Sequence, residues 1–265
     1  MAAITLDQAT LKFGNRVLWR DMSMQINSGE FVAVLGPNGT GKTTLLQILL
    51  GQQPLSTGTL TILGKAPGAI NHRIGYIPQQ KNFDRQLPVR GRDLVRMGLD
   101  GNRFGWGRAA DTEQRVQQAI DMVDAADFAD RPLGLLSGGE QQRLRVAQAL
   151  VGEPALVLCD EPLLSLDVTA QQNITKLLND YRQRMGATIL FVTHEINPVL
   201  PYVDRVLYLA AGRWLLDTPD TVLQSAVLSK LYSSPVEVLH IQGRLLVVGG
   251  DGLAAYSAHH EEHHL

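Results

Sequence analysis

Short apolar runs separated by turn residues open the chain. Ala3 to Leu6, Arg16 to Leu18, Met22 to Ile26 and Phe31 to Leu35 are each too short for a helix, and Asn27-Ser28-Gly29-Glu30 is a turn signal between the last two. The pattern predicts a small antiparallel sheet feeding a buried strand, Phe31 to Leu35. The run Thr44 to Leu50 then reads as a helix, and Thr59 to Leu63 and Arg73 to Ile77 as further short strands. From about Lys81 to Gly107 the pattern breaks. Pro88, Gly91, Gly98, Gly101, Gly105 and Gly107 interrupt it, and Lys and Arg outnumber acidic residues. Thr112 to Ala126 resumes with helical spacing, with Val116, Ala119, Ile120 and Val123 on one face. The stretch from about residue 81 to about 145 is expected to be a helical subdomain inserted in an α/β fold.

Beyond it, elements alternate. Glu140 to Val151 is a predicted helix with Leu144, Ala147 and Val151 inward, Ala155 to Cys159 a buried strand, and Thr169 to Arg184 a helix. Thr188 to Thr193 and Arg205 to Leu209 are further buried strands. Strands alternating with helices imply a parallel sheet covered on both faces. Val236 to His240 and Arg244 to Val248 flank Gln242-Gly243 and read as a late β-hairpin. The expected organisation is one domain over residues 1–230 and a C-terminal extension over 231–265.

Composition narrows the function classes. Of 265 residues, 45% are hydrophobic and 19% charged, ordinary values for a globular protein, and the net charge of -2 carries no basic footprint for nucleic acid. The one cysteine, Cys159, rules out an intramolecular disulfide framework. No stretch approaches the ~20 apolar residues of a membrane-spanning helix, and Met1 to Leu6 lacks the pattern of a signal peptide. Any link to a membrane is expected to run through a partner.

Three motifs carry chemistry. Gly36-Pro37-Asn38-Gly39-Thr40-Gly41-Lys42-Thr43 matches the phosphate-binding loop in full and lies between a predicted strand and a predicted helix. Its backbone N–H groups can turn around phosphate oxygens, and the helix aims its positive end at the same anion. Lys42 is placed to reach the β- and γ-phosphates and Thr43 to offer its hydroxyl to Mg²⁺. Leu156-Val157-Leu158-Cys159-Asp160-Glu161 is an apolar strand ending in two carboxylates. Beside a phosphate loop, Asp160 suits the orientation of Mg²⁺ and Glu161 the role of general base toward an attacking water. Leu136-Ser137-Gly138-Gly139-Glu140 opens a helix. It reads equally as a capping box, Ser137 with Glu140, and as an anion site built from a hydroxyl, glycine N–H groups and a helix N-terminus.

In this order the motifs resemble the ATP-binding cassette (ABC) family, and the resemblance covers nearly the whole chain. It implies a P-loop NTPase fold: a RecA-like parallel sheet core, an N-terminal antiparallel β-subdomain and an inserted α-helical subdomain. It further implies ATP and Mg²⁺ as cofactors and a dimer of two copies that sandwiches ATP head to tail. Residue by residue, Ser137, Gly138 and Gly139 match the signature that contacts the γ-phosphate held by the opposite subunit. Glu140 stands where the signature usually carries Gln. Gly36, Asn38, Gly39, Gly41, Lys42, Thr43 and Thr44 match the nucleotide-binding loop. Phe13 matches the aromatic residue that stacks on adenine, and Gln79 the glutamine that reaches Mg²⁺ and water and links to the helical subdomain. Asp167, in Ser165-Leu166-Asp167, matches the loop that crosses the dimer interface. His194 matches the switch histidine at the γ-phosphate.

Asn82 to Val89, Val95 to Gly98 and Asn197 to Leu200 look like the zinc and manganese importer ATPases. That resemblance implies a motor peripheral to the cytoplasmic face of the inner membrane, bound to transmembrane permease subunits near Gln79 to Gly107. A siderophore or cobalamin importer, or a soluble ABC ATPase, is the alternative. Against the soluble one stand a single cassette and the absence of a heptad run. The presence of Lys42, Asp160, Glu161 and His194 argues against a nucleotide sensor with a dead site. In such a family the transmembrane and extracytoplasmic subunits choose the solute. His259-His260-Glu261-Glu262-His263-His264 offers metal-ligating side chains but reads first as a polar tail.

Overall fold

The structure is a computed structural model that describes residues 1–79, 83–100 and 109–249. Lys81, Asn82, Gly101, Gly105, Gly107 and the histidine-rich segment His259 to His264 lie outside the described residues.

Two long strands replace the short opening runs. They are β1 (Ala2–Phe13) and β2 (Arg16–Asn27), paired antiparallel. The polar positions that interrupt the apolar pattern are bulges. Gln8 and Asp21 take positive φ, and each N–H is accepted by a hydroxyl across the ladder, Ser23 Oγ at 2.9 Å and Thr10 Oγ1 at 3.1 Å. The pairing therefore continues through positions where period-two alternation fails. Then come β3 (Phe31–Leu35), α1 (Lys42–Leu49), β4 (Thr57–Ile62) and β5 (Ile74–Ile77). β4 joins β1 as the third antiparallel strand.

The segment read as glycine-broken holds a ten-residue helix, α2 (Gly91–Asp100), followed by α3 (Ala109–Met122) and α4 (Gly138–Leu150). Its glycines are contact residues rather than breakers. A Cβ on Gly98 would lie 2.2 Å from the Gln148 carbonyl oxygen, so the backbone of α2 presses directly on α4. Arg92 is likewise engaged: it pairs with Glu113 of α3 at 3.1 Å and with Asp130 at 2.9 Å, and Arg96 also pairs with Glu113. Arg90 and Arg96 are exposed, whereas Arg92 is half-buried.

β6 (Leu156–Asp160), α5 (Val168–Met185), β7 (Thr188–Val192) and β8 (Arg205–Ala210) complete the parallel part. The pattern reading lacks three elements that follow: β9 (Arg213–Asp217), α6 (Pro219–Val222) and α7 (Ser225–Tyr232). β9 returns antiparallel to β8 through Ala211 and Gly212, both at positive φ. That turn geometry suits hairpins, but Ala-Gly announces it less clearly than Asn-Gly. The late hairpin, β10 (Val236–Ile241) and β11 (Arg244–Gly249), forms around Gln242-Gly243 as expected.

The central sheet runs β5-β6-β7-β3-β8-β9, with all neighbours parallel except β8 and β9. β3, β6 and β7 are buried at every position. Alternate residues divide between two cores. Phe31, Ala33, Val157, Cys159, Ile189 and Phe191 face the helical side, whereas Val32, Val34, Leu156, Leu158, Leu190 and Val192 face α1 and the antiparallel sheet. No described helix is long and apolar enough to cross a membrane.

The Gly98 contact is testable. Gly98→Ala forces a methyl into the Gln148 backbone and should destabilise the fold by about 1–3 kcal/mol, the usual cost of overpacking. Urea unfolding would read this as a lower midpoint with an unchanged slope.

Candidate nucleotide site

Four parallel strands, β5, β6, β7 and β3, stand side by side and end at one edge of the sheet. The residues that follow these ends are the ones the motifs singled out. After β3 the chain bends at Gly36, whose φ is 139°, and a Cβ there would lie 2.0 Å from the Leu209 carbonyl oxygen. Only glycine fits. The loop then carries Asn38, Gly39 and Gly41, the last as the N-cap of α1 in a left-handed conformation. Lys42 turns back into the loop and donates Nζ–H to the carbonyls of Gly36 at 2.7 Å and Pro37 at 3.0 Å. Burial lowers its pKa, and the charges of Glu161 and Asp160 oppose that shift. Thr43 and Thr44 follow on the first turn of α1.

After β6 stand the two carboxylates. Asp160 is buried and accepts a hydrogen bond from the Thr43 hydroxyl at 3.1 Å. Burial and then the Glu161 charge raise its pKa, while the Thr43 hydrogen bond pulls against them. A carboxylate taken out of water beside a threonine hydroxyl is a hard, oxygen-only donor set, which fits Mg²⁺ rather than a soft metal. Glu161 sits at φ 48°, an uncommon conformation for a side chain larger than glycine, and its N–H is held by the Val192 carbonyl at 3.0 Å. Its carboxylate is gripped from both sides. His194, after β7, donates Nε2–H to Oε1, and Gln79, after β5, donates to Oε2 at 3.1 Å. The His194 hydrogen bond is the main cause that holds this carboxyl below the ordinary range, against partial burial.

Thus Lys42, Thr43, Asp160, Glu161, Gln79 and His194 form one cluster. Phe13 lies at the end of β1, 50% exposed, so its ring is not part of the core. Arg16, at the start of β2, donates to the Gly39 carbonyl at 3.0 Å and ties this sheet to the loop. Ser137 and Asp167 stand apart from the cluster, and each caps a helix. Ser137 heads α4 in a complete capping box: its hydroxyl accepts from the Glu140 N–H, and the Glu140 carboxylate accepts from the Ser137 N–H at 2.7 Å and hydroxyl at 2.8 Å. Partial burial raises the Glu140 pKa, but these bonds and the charges of Arg131 and Arg143 bring it below the ordinary value. Gly138 and Gly139 form the first turn of α4. Asp167 caps α5 through the Ala170 N–H at 2.8 Å and is exposed.

Two residues escaped the motif reading. Arg16 has no local signal. Tyr76 places its hydroxyl 3.5 Å from Asp160 Oδ2, and burial together with the Asp160 charge pushes its pKa up to about 12. Its position one residue before the end of β5 was the available clue.

A glycine-rich loop that joins a buried parallel strand to a helix, with carboxylates from a strand two places away in the sheet, defines a P-loop nucleoside-triphosphatase. The family model for the ABC transporter matches residues 19–164. The zinc transport system ATP-binding protein TroB of Treponema pallidum is 38% identical over 78% of this chain and 78% of its own length. The manganese transport system ATP-binding protein MntB of Bacillus subtilis is 32% identical over 90% of this chain and 96% of its own. Among solved structures, an inward-facing metal-chelate type ABC transporter superposes with a TM-score of 0.78 at 27% identity, over 93% of this chain and 96% of that one. A dimeric bacterial ABC transporter cassette gives 0.70 at 27% identity, over 81% and 98%. This chain belongs to the ABC transporter family and is one of its ATP-binding, ATP-hydrolysing subunits.

The cap at Asp167 supports a local prediction. Asp167→Ala should cost about 1 kcal/mol through the lost bond to the Ala170 N–H, and Asp167→Ser should recover most of it. Thermal unfolding of the three proteins measures the difference.

Proposed function

We propose that this chain energises the import of a divalent metal ion, zinc or manganese, and that it works as a head-to-tail dimer bound to transmembrane permease subunits. The observation that carries the catalytic part is the grip on Glu161 by Gln79 and His194 at the mouth of the phosphate loop. The solute rests on the relatives TroB and MntB together with the segments Val95 to Gly98 and Asn197 to Leu200. The metal-chelate type neighbour favours a second reading, import of a chelated metal.

In this reading Phe13 stacks on the adenine and the loop from Gly36 to Thr44 holds the phosphates. Lys42 gives its charge to the β- and γ-phosphates. Thr43, Gln79 and Asp160 would hold Mg²⁺, which supplies charge neutralisation at the phosphates. Glu161 accepts a proton from water as the water oxygen bonds to the γ-phosphorus and the bond to the β-phosphate oxygen breaks. Both Glu161 oxygens already accept hydrogen bonds, yet each keeps a second lone pair for the water. His194 and Gln79 fix the orientation of the carboxylate, which is positioning rather than chemistry.

Ser137, Gly138 and Gly139 serve the γ-phosphate held by the second copy. Because Glu140 already occupies the N-terminus of α4, an incoming phosphate must displace or share its two bonds from Ser137. The permease surface is assigned to the segment Gln79 to Gly107, in which Arg90 and Arg96 are exposed; a cleft of about 440 Å³ lined by Phe83, Arg85, Gly134, Leu135 and Leu136 adjoins it. This binding places the chain peripherally, at the cytoplasmic membrane face.

Glu161→Gln tests the mechanism. It keeps shape and hydrogen-bonding reach but loses basicity, so hydrolysis should fall roughly 10²–10⁴-fold. ATP binding should survive, and the mutant should collect as an ATP-bound dimer on size-exclusion chromatography. Near wild-type turnover would remove Glu161 from the role of base. For the solute, cells with the chain should take up zinc or manganese supplied as the free ion in chelator-treated medium and cells lacking it should not; chain-dependent uptake of the chelated metal alone would favour the second reading.

A further inference from the structure

The hairpin of β10 and β11 takes no part in the site, yet it is firmly attached beside it. The Asn197 side chain donates to the Leu245 carbonyl at 3.0 Å and accepts from the Leu245 N–H at 2.8 Å. Ser229 and Ser225 of α7 accept the N–H groups of Val236 and Val238, each at 2.9 Å. Val236 and Leu245 are buried, and Val238 and Val247 pack on the core below them.

The other face is exposed and should be polar by the usual alternation of a sheet with one wet side. It is not. The register pairs Leu239 with Leu246, Glu237 with Val248, and Ile241 with Arg244. Leu239 is 38% exposed, Val248 43%, Leu246 51% and Ile241 53%. Four aliphatic side chains thus form one outward patch, with an acid at the open end and a base at the turn end. Among the described residues neither Glu237 nor Arg244 has an ion-pair partner.

We infer that this face packs on the same face of a second copy of the chain, as an additional contact of the nucleotide dimer; the inference rests on the head-to-tail dimer proposed above. Three features select that occupant. Asn197 lies three residues past His194, so the hairpin is fastened near the same sheet edge at which that dimer is proposed to close. The charges are self-complementary: a two-fold axis across the strands brings Glu237 of each copy to the turn end of the other, where Arg244 stands, so the pairing is made twice. Four aliphatic side chains also fall short of the roughly 800 Å² per partner that a stable interface needs. The patch therefore supplements an interface instead of making one.

Sedimentation equilibrium of the full-length chain in the Glu161→Gln background with ATP gives the test. Glu237→Arg and Arg244→Glu, both at exposed positions, should each weaken the dimer roughly tenfold by setting like charges opposite. The double reversal should return it to within about threefold of the parent. Leu246→Glu should weaken it with no such rescue. A dimer that forms with unchanged affinity in all of these variants, or a double reversal no better than the singles, overturns the inference and leaves the dimer itself standing. A Glu161→Gln chain that stays monomeric in ATP overturns both. Flotation of the wild type, but not of Leu246→Glu, with anionic phospholipid vesicles would assign the face to a membrane. A tighter dimer after truncation at Gly249 would assign it to the chain's own last residues. Either result overturns the self-association.

Discussion

Strands buried on both faces leave no room for polar side chains along their length, and the structure follows from that restriction. β3, β6 and β7 are apolar or sealed at every position, so their chemistry can appear only where they end. The parallel arrangement puts those ends on one edge. The order β5-β6-β7-β3 then decides which loops meet: Gln79 from one side and His194 from the other flank Glu161, and the loop after β3 closes the group with Lys42 and Thr43. A different strand order with the same residues would scatter them.

The helical elements sit on the other core and answer to a different constraint. α2 lies close enough to α4 that only glycine fits at 98, while Arg92 ties α2 to α3 and to the loop before α4. This packing holds α4, which Ser137 caps, against α2.

Glu140 shows how one residue can satisfy two roles with opposing demands. As a capping partner its negative charge suits the N-terminus of α4. In the proposed dimer that charge would face a phosphate. The cap is what the isolated chain adopts, and the preference of the helix end for an anion serves either occupant.

Much of this was legible in the sequence. The phosphate loop, the carboxylate pair, the buried strands and the final hairpin depend on local residue type and spacing, and local rules report them well. The antiparallel N-terminal sheet was legible, but the length of its two strands was not, because side-chain hydroxyls from across the ladder complete the bulges at Gln8 and Asp21. Nor was α2, because its glycines answer to α4 about fifty residues away in sequence. The contacts of Arg16 and Tyr76 depend on which strand lies beside which loop. The sequence by itself determined which residues can bind phosphate and take a proton, since that is a property of their chemistry. Only the tertiary structure decided which of them share an edge and which face of the hairpin stays apolar and open, since long-range strand order and packing set both.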